Sequence, residues 1–419
     1  MFFEVTARAD AARRGRINTP HGAVETPVFM PVGTQASVKG VPQEVLEELG
    51  AQILLGNTYH LYLLPGVETV RRLGGLHRFM SWRRALLTDS GGFQVWSLSQ
   101  MRKLSEEGIE FRSHLDGSLH SFTPESATAA QIALGADIIM AFDECTEYPA
   151  DRARARKSME LTVRWAERCK KRLQESMVDG RWSMGKAGAL AHEVIGGDST
   201  AIGHRPSTID DSQALFGIVQ GGMYPDLRKE CAERLVELDL PGYAIGGLSV
   251  GEPRELTRDI VAATLQHLPA GKPRYLMGVG TPEEIVEYAA LGVDMMDCVH
   301  PTRAARHGLL FTSEGKVNIK GARYAEDEGP LDPNCGCRVC ARYSRAYLRH
   351  LFAASELLAQ VLNTVHNLAY YLDTMGRVRH SIELGGFTSF LSGLRSRSLN
   401  SPAHTQREDP TKAPPGRKA

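Results

Sequence analysis

The chain has 419 residues, 42% of them hydrophobic, and its 49 lysines and arginines equal its 49 aspartates and glutamates. This zero formal charge excludes a nucleic-acid binder that relies on bulk positive charge, so any such partner must meet a local basic surface. The sequence contains no run of about 18 apolar residues and no signal-peptide pattern at its N-terminus. We therefore expect a cytoplasmic protein without a membrane partner.

A regular alternation of short apolar runs and helical patterns dominates residues 51–325, after a segment 1–50 that predicts short β-strands leading into the main fold. Strands that alternate with helices predict a parallel sheet covered on both faces. With about eight strands, the simplest fold is a (β/α)8 TIM barrel of the α/β class, and a doubly wound open sheet is the alternative. The apolar runs are residues 52–57, 85–90, 136–143, 214–220, 243–248, 274–278 and 293–297.

Three further segments flank or interrupt this pattern. Residues 180–212 are rich in Gly, Ser, His and Asp without a clear period, and we expect a mobile insertion in the barrel. Residues 326–385 combine a cysteine cluster with helical patterns, which predicts a helical zinc-binding subdomain packed on the barrel. Residues 396–419 contain too few apolar side chains to fold, so we expect a disordered tail.

The cysteines indicate a metal site. In a reducing compartment, crowded cysteines favour metal binding over disulfides. A helical pattern follows from residue 344 to about 363, with His366 near its end, and three thiolates plus one imidazole would form a closed, structural zinc site. The long spacing leaves His350 and His380 as alternatives to His366, and buried free cysteines are the alternative to a metal. The crowded cysteines are Cys335, Cys337 and Cys340.

Polar residues at the ends of several predicted strands indicate an active site, because such ends converge at one mouth of a barrel. Displacement at the anomeric carbon of a sugar needs two carboxylates, one to protonate the leaving group and one to capture the oxocarbenium-like centre. For any single one of these acids, the alternative to a catalytic role is a helix cap or a salt bridge. The strand-end residues are Asp89, Ser90, Asp143, Gln220, Asp297 and the pair Gly246 and Gly247.

Two arginines follow the strand that ends in Asp297. Pro301 breaks that strand, and Arg303 and Arg306 come next. Guanidinium groups in this position are suited to hold phosphates. The alternative is an aspartate that caps a turn, followed by two solvated arginines.

Seven motifs in this order make the chain resemble the bacterial-type tRNA-guanine transglycosylases over residues 1–385. The resemblance implies exchange of guanine at the wobble position of tRNAs with a U-G-U anticodon for the queuosine precursor preQ1. It also implies double displacement through a covalent ribosyl–enzyme intermediate. The motifs are residues 88–95 (TDSGGFQV), 142–146 (FDECT), 217–222 (GIVQGG), 244–252 (AIGGLSVGE), 275–280 (YLMGVG), 297–303 (DCVHPTR) and the cysteine cluster with His366.

The resemblance also implies a role for each matching residue. Asp297 matches the nucleophile, and Asp89 matches the acid and base that serves both displacements. Arg303 and Arg306 match contacts to the anticodon loop of the tRNA. The implied base-binding residues are Ser90, Phe93, Gln94, Asp143, Gln220, Gly246, Gly247, Leu248 and Met277, with Phe93 and Met277 stacking on the two faces of the base. The implied zinc ligands are Cys335, Cys337, Cys340 and His366.

Substrate and assembly are less closely determined. Cys145 and Val250 fit the bacterial pattern, and the bulk of Val250 favours preQ1 over queuine, whose pocket needs more room. The resemblance implies a homodimer with the zinc region near its interface. The alternatives are a queuine-inserting transglycosylase and a non-catalytic tRNA-binding subunit, although the intact Asp89 and Asp297 argue against the latter. A zinc-dependent barrel hydrolase would need an open metal site at the barrel mouth.

Overall fold

The structure is a computed structural model that describes residues 2–98, 102–187 and 213–399. Its strands are β1 Phe3–Ala9, β2 Ala12–Thr19, β3 Gly22–Thr26, β4 Val28–Met30, β5 Val32–Gly33, β6 Ile53–Gly56, β7 Ala85–Thr88, β8 Arg102–Leu104, β9 Ile109–Arg112, β10 Leu119–Phe122, β11 Ile138–Met140, β12 Ala214–Val219, β13 Gly242–Ile245, β14 Arg274–Leu276, β15 Met295–Asp297, β16 Leu309–Thr312 and β17 Gly315–Asn318. Its helices are α1 Gln43–Glu48, α2 Thr58–Leu63, α3 Val67–Arg72, α4 Gly75–Phe79, α5 Gly92–Leu98, α6 Pro124–Leu134, α7 Arg152–Ala187, α8 Pro225–Glu237, α9 Arg254–Leu265, α10 Pro282–Ala290, α11 His300–Arg306, α12 Arg345–Ala353, α13 Leu357–Glu383 and α14 Phe387–Leu399.

The central sheet is parallel and runs in the order β4-β15-β14-β13-β12-β11-β7-β6-β5. The first and last strands in this order, β4 and β5, belong to one continuous stretch of chain. Only Pro31 separates them, because it has no N–H to donate to a neighbouring strand. The sheet therefore closes into a barrel with eight strand positions. This confirms the predicted TIM barrel, and the open sheet is excluded.

The first barrel position is filled by residues 28–33, which lie before the predicted start of the barrel at residue 51. The segment has no long apolar run because Pro31 divides it into pieces of three and two residues. The carbonyl of Pro31 still accepts a hydrogen bond from the Leu55 N–H at 3.1 Å. The pairing with β6 therefore continues past the break.

Strand β12 illustrates how both faces of the barrel are covered. All six of its residues are buried, with Ala214, Phe216 and Ile218 in the cluster inside the barrel. Leu215 and Val219 belong instead to the cluster under the surrounding helices. Successive side chains point to opposite faces, and both faces are buried, so the strand appears as a continuous apolar run in the sequence.

The N-terminal strands β1–β3 form an antiparallel sheet against the barrel. Phe3, Ile17 and Val24 are buried in the same cluster as the inward residues of the barrel strands. Arg13 on β2 forms a buried ion pair with Asp294, which lies directly before β15. The two partners join the N-terminal sheet to the strand that ends in Asp297.

Helix α7 and the sheet of strands β8–β10 differ from the sequence predictions. Residues 180–187 continue α7 rather than forming a loop, while residues 188–212 of the predicted insertion lie outside the described residues. Strands β8–β10 form an antiparallel sheet that the sequence pattern did not predict, since each has only three or four residues. Residues 396–399 of the predicted tail belong to α14, and residues 400–419 are also outside the described part.

The C-terminal region contains the hairpin β16–β17 and the helices α12–α14. The predicted single helical stretch up to about residue 363 is divided into α12 and α13, so His366 lies inside α13 rather than near a helix end. Among the helices that the structure describes, none is long and apolar enough to cross a membrane.

Candidate active site and metal centre

A cavity of about 710 Å³ opens at the carboxyl ends of the barrel strands. It contains the residues that follow β7, β11, β13 and β14 and the last residue of β15, which is the end of a barrel where catalytic groups are placed. Of the predicted site residues, Asp89, Ser90, Phe93, Gln94, Asp143, Gly246, Gly247, Leu248, Met277, Asp297 and Arg303 line this cavity. Gln220 and Arg306 are not among the described residues that line it.

Asp297 is held from one side only. The Tyr275 hydroxyl donates to its Oδ1 atom at 2.6 Å, and the Gly278 N–H donates to the same atom at 2.8 Å. Among the described residues, no other group donates a hydrogen bond to this carboxylate, so its Oδ2 atom is available to a ligand. Burial raises the pKa of Asp297, and the bonds from Tyr275 and Gly278 oppose that rise by stabilising the anion.

Asp89 is held on both carboxylate oxygens. The Thr58 N–H donates to Oδ1 at 2.8 Å, the Gln94 side chain donates to Oδ2 at 2.8 Å, and Asn57 also donates to Oδ2. Burial raises the pKa of Asp89 to about 6, the three donors oppose this rise, and the charge of Asp297 adds to it. A carboxyl group with this pKa can hold or release a proton near neutral pH.

A third buried carboxylate, Asp143, joins two of the predicted base-binding residues. The Ser90 hydroxyl donates to Oδ1 at 3.0 Å, and the Gln220 amide donates to Oδ2 at 2.8 Å. Burial raises the pKa of Asp143 to about 6 against the effect of these two bonds. Gln220 therefore lies behind Asp143 and supports it, rather than forming part of the cavity wall.

Gly247 is a position where any larger residue would require its surroundings to shift. Its φ is +64°, and a Cβ atom there would lie 2.2 Å from the Gln220 Oε1 atom. The loop after β13 thus packs directly on the Gln220 side chain. The close contact keeps the backbone of this loop at the cavity wall.

Phe93, on α5, and Met277, directly after β14, offer apolar surface to the cavity from two places in the barrel. Phe93 is 45% exposed although it is aromatic, and its ring lies 5.6 Å from that of Trp96 between centroids. Met277 follows β14 and is half-buried. Two such side chains are suited to pack on a planar ring.

Sequence reasoning missed three residues that hold the two carboxylates and one contact of a fourth residue. Asn57, Thr58 and Tyr275 hold the two carboxylates, but each acts through a residue distant in the chain. Asn57 does stand at the end of a predicted strand, which was the available signal. Gln94, which is predicted to bind the base, lines the cavity and also donates to Asp89 through its amide.

The remaining predicted residues lie at the rim or behind it. Arg303 is exposed on α11 and lines the cavity, while Arg306 folds back to donate to the Thr302 carbonyl at 3.0 Å. Cys145 lines the cavity. Val250 is not among the described residues that line the cavity, but its neighbours Ser249 and Gly251 are.

The predicted metal ligands come together. One ligand atom from each of Cys335, Cys337, Cys340 and His366 can be chosen so that all lie within 4.8 Å of one another. The His366 Nδ1 atom lies 3.3 Å from the Cys340 sulfur, and its Nε2 atom lies 2.7 Å from the Phe311 carbonyl oxygen. Donation from Nε2 to this carbonyl leaves Nδ1 as the ligand atom and fixes the orientation of the ring. Four such donors fit a metal ion.

A second cluster, His21, His77 and Asp137, lies at the opposite end of the barrel. The two imidazole rings stack with centroids 3.5 Å apart and planes inclined by 13°. His21 Nδ1 lies 2.7 Å from one Asp137 oxygen, and His77 Nε2 lies 3.2 Å from the other. Parallel rings direct their nitrogens side by side instead of towards one point, so this cluster forms a hydrogen-bonded clamp rather than a metal site.

Comparison with known proteins identifies the family of the chain. A family model described as queuine tRNA-ribosyltransferase matches residues 9–398. A queuine tRNA-ribosyltransferase of Koribacter versatilis is 64% identical over 398 residues, covering 95% of this chain and 98% of that protein. Proteins with the same name from Thermoanaerobacter sp. and Solibacter usitatus are 56% and 54% identical, covering 88% and 94% of this chain and 90% and 97% of their own. The chain therefore belongs to the queuine tRNA-ribosyltransferase family of pentosyltransferases.

Proposed function

We propose that this chain exchanges guanine at the wobble position of U-G-U anticodon tRNAs for preQ1 by double displacement, as a step in queuosine biosynthesis. The observation that carries the proposal is the arrangement of Asp89 and Asp297. They come from different barrel strands, line one cavity and have different hydrogen bonds. One is suited to proton transfer, and the other has an oxygen free for a sugar carbon.

In the first displacement, Asp297 Oδ2 attacks C1′ of the ribose. The C1′–Oδ2 bond forms while the C1′–N9 bond breaks, and its electron pair leaves with guanine. Protonated Asp89 supplies the proton that this leaving group needs. The donors on Oδ1 help Asp297 to stay ionised despite its burial, which the attack requires.

The second displacement restores the enzyme. Asp89 removes a proton from the incoming base, whose nitrogen attacks C1′ and expels Asp297. Because Asp297 is neutral while it is esterified, its charge no longer raises the pKa of Asp89, which favours Asp89 as a base in this step. Two inversions at C1′ retain the configuration, as in retaining glycosidases.

Base recognition is assigned to the wall between these two acids. Asp143 accepts hydrogen bonds, so it matches a ring N–H and an exocyclic amine on one edge of guanine or preQ1. Phe93 and Met277 line the cavity. In this proposal they stack on a base that has left the anticodon loop, which replaces part of the stacking lost on flipping. Arg303 at the rim is placed to contact the anticodon loop.

Two alternatives differ in substrate and in activity. Insertion of queuine would need room for its larger side group, and the preference for preQ1 rests on Cys145, which lines the cavity, and on Val250, whose neighbours Ser249 and Gly251 line it. A non-catalytic tRNA-binding subunit would not need both acids in one cavity. Competition of preQ1 and queuine against labelled guanine, using the purified chain alone, separates these possibilities.

The metal centre is proposed to hold one zinc ion per chain through its three cysteines and His366. A ligand set of this kind leaves no open position for water, so the ion would stabilise the fold and take no part in the displacements. We further propose a homodimer with the zinc region near its interface. Light scattering of the purified chain would test the dimer.

The decisive experiment measures incorporation of labelled guanine into an anticodon stem-loop that contains U-G-U, with a U-A-U stem-loop as control. A covalent complex with the U-G-U stem-loop should survive on a denaturing gel. Asp297→Asn should abolish that complex. Persistence of the complex in the variant would remove Asp297 from the nucleophile role.

A further inference from the structure

Arg228 is a fully buried cation behind the cavity wall. It lies on α8, has 0% exposure, and has no carboxylate partner within 4.0 Å among the residues that the structure describes. Burying a guanidinium group is costly unless its N–H groups are satisfied. Its position therefore calls for a specific explanation.

Three backbone carbonyls satisfy this guanidinium group. Its Nε atom donates to the Gly222 carbonyl at 2.7 Å, one terminal nitrogen donates to Val219 at 3.3 Å, and the other donates to Gly246 at 3.0 Å. Val219 and Gly222 flank Gln220, which supports Asp143, whereas Gly246 begins the loop after β13. The arginine thus connects two loops at the base-binding wall.

The two loops are also joined directly. The Gly246 N–H donates to the Val219 carbonyl at 3.1 Å, so that carbonyl accepts from both Gly246 and Arg228. Gly221 has a φ of +142°, and a Cβ atom there would lie 2.8 Å from the Arg228 backbone nitrogen. The first turn of α8 therefore packs tightly under the loop that it holds.

The bond to Gly246 fixes the direction of the next N–H group. In a trans peptide, the carbonyl and the N–H point to opposite sides. Since the Gly246 carbonyl points to Arg228, the Gly247 N–H points away from it, and Gly247 lines the cavity. A cation bonded to the carbonyl also polarises the peptide and strengthens its N–H as a donor.

We propose that Arg228 is a positioning residue for base recognition, which orients and polarises the Gly247 N–H so that it donates to the 6-carbonyl oxygen of a guanine-type base. The inference rests on the proposed base-binding role of this wall. It assigns Arg228 no contact with the substrate. A purely structural arginine would affect all ligands of the cavity equally.

Two bases distinguish these roles. Guanine has the 6-carbonyl group and a proton on N1, whereas 2-aminopurine lacks both but retains the purine ring and the 2-amino group. The affinity for 2-aminopurine can be followed directly by the quenching of its fluorescence on stacking, and guanine by its displacement of that probe. Both measurements use the full-length protein with its metal and need no turnover.

Arg228→Met should weaken guanine binding at least tenfold and 2-aminopurine binding less than threefold. The KM for guanine in the exchange reaction should rise in parallel, with the KM for the stem-loop changed less than twofold. Arg228→Lys keeps the charge but not the planar fork, so a guanine-selective loss of threefold or more is expected. Lys229→Met, at the exposed neighbouring position on α8, should change none of these values.

Equal weakening of both bases, or unchanged guanine binding in a folded variant, would overturn the proposal. If circular dichroism shows that Arg228→Met does not fold, the Arg228→Lys variant decides by the same criterion. Failure of the wild-type chain to exchange guanine would instead refute the proposed function. The binding ratio between the two bases would still report on Arg228 in that case.

Discussion

The Tyr275 hydroxyl donates a hydrogen bond of 2.6 Å to Asp297 Oδ1, the same oxygen that accepts from the Gly278 N–H. Both donors lie on the β14 side of Asp297, so they fix the carboxylate and direct its other oxygen away from them. Both hydrogen bonds lower the pKa of Asp297 and so oppose the rise that burial causes. Tyr275 is therefore predicted to act through Asp297, the proposed nucleophile.

Tyr275→Phe should reduce kcat/KM for the stem-loop about 10- to 150-fold, because a hydrogen bond to a charged group contributes about 1.5–3 kcal/mol. The loss should be greatest at low pH, since the pKa of Asp297 rises further without the donor. Tyr243→Phe provides the control, as Tyr243 is buried on the neighbouring strand β13. Equal losses in both variants would contradict a specific role for Tyr275.

The strands of the barrel were predictable because each is buried on both faces and so appears as an apolar run. Seven of the eight barrel positions match predicted runs, as for residues 214–220 and β12. The position at residues 28–33 was missed because Pro31 leaves pieces too short to show a pattern. Closure of the sheet depends on pairing between segments far apart in the chain, which periodicity does not encode.

The site was predictable where a residue stands at a strand end, as Asp89 and Asp297 do. Tyr275 was missed because it lies within a strand and acts sideways on the next one. Arg228 was missed because an arginine in a predicted helix is expected to be exposed to solvent, and its three carbonyl partners become apparent only in the fold. Contacts across neighbouring strands therefore account for most of what sequence reasoning could not supply.

Asn57→Leu should move the pH dependence of the first displacement. Burial raises the pKa of Asp89 to about 6, and the Asn57 donor opposes that rise, so removing it raises the pKa further. Protonated Asp89 is the reactive form in this step. The fall of kcat/KM for the stem-loop with rising pH should accordingly shift to higher pH.

Gln94→Leu should shift the profile in the same direction, because Gln94 also donates to Asp89. Asn318→Leu, the same change on the exposed strand β17, should leave the profile in place. A shift of the Asn57 variant to lower pH would show that a different group controls the step.

Cys337→Ser should release the metal ion and lower the melting temperature by several degrees. Binding free energies of structural zinc reach about 10 kcal/mol in small zinc domains, and that stabilisation is lost with the ligand. Elemental analysis should find one zinc per wild-type chain and much less in the variant. Guanine exchange should persist at temperatures where the variant is folded, since the site is not part of the cavity.

Cys169→Ser is the matched control for the metal centre. Cys169 is buried and accepts a hydrogen bond from the Phe142 N–H through its sulfur, but it is not part of the cluster. This variant should lose some stability and keep its zinc. Loss of zinc from both variants would mean that unfolding, not ligand removal, releases the ion.

Asp137→Asn should destabilise the protein at neutral pH but not in acid. Asp137 accepts a hydrogen bond from the Leu86 N–H at 2.8 Å and contacts His21 and His77 at the end of the barrel opposite the cavity. Burial alone would raise the pKa of Asp137, but the histidine partners outweigh it and lower the pKa from 3.8 to about 2.

The pKa of Asp137 is lower in the folded protein than in the unfolded chain, so its ionised carboxylate stabilises the fold by about 2 kcal/mol at pH values above the unfolded pKa. This contribution is lost as the pH falls towards 2. The wild type should exceed Asp137→Asn in denaturant midpoint at pH 7, and the difference should shrink between pH 4 and about 2. Asp116→Asn is the control, because the pKa of Asp116 is also lowered to about 2, by hydrogen bonds from Ser118, but the side chain is exposed. A difference between wild type and Asp137→Asn that stays constant across this range would show that the clamp acts through packing and not through the charge of Asp137.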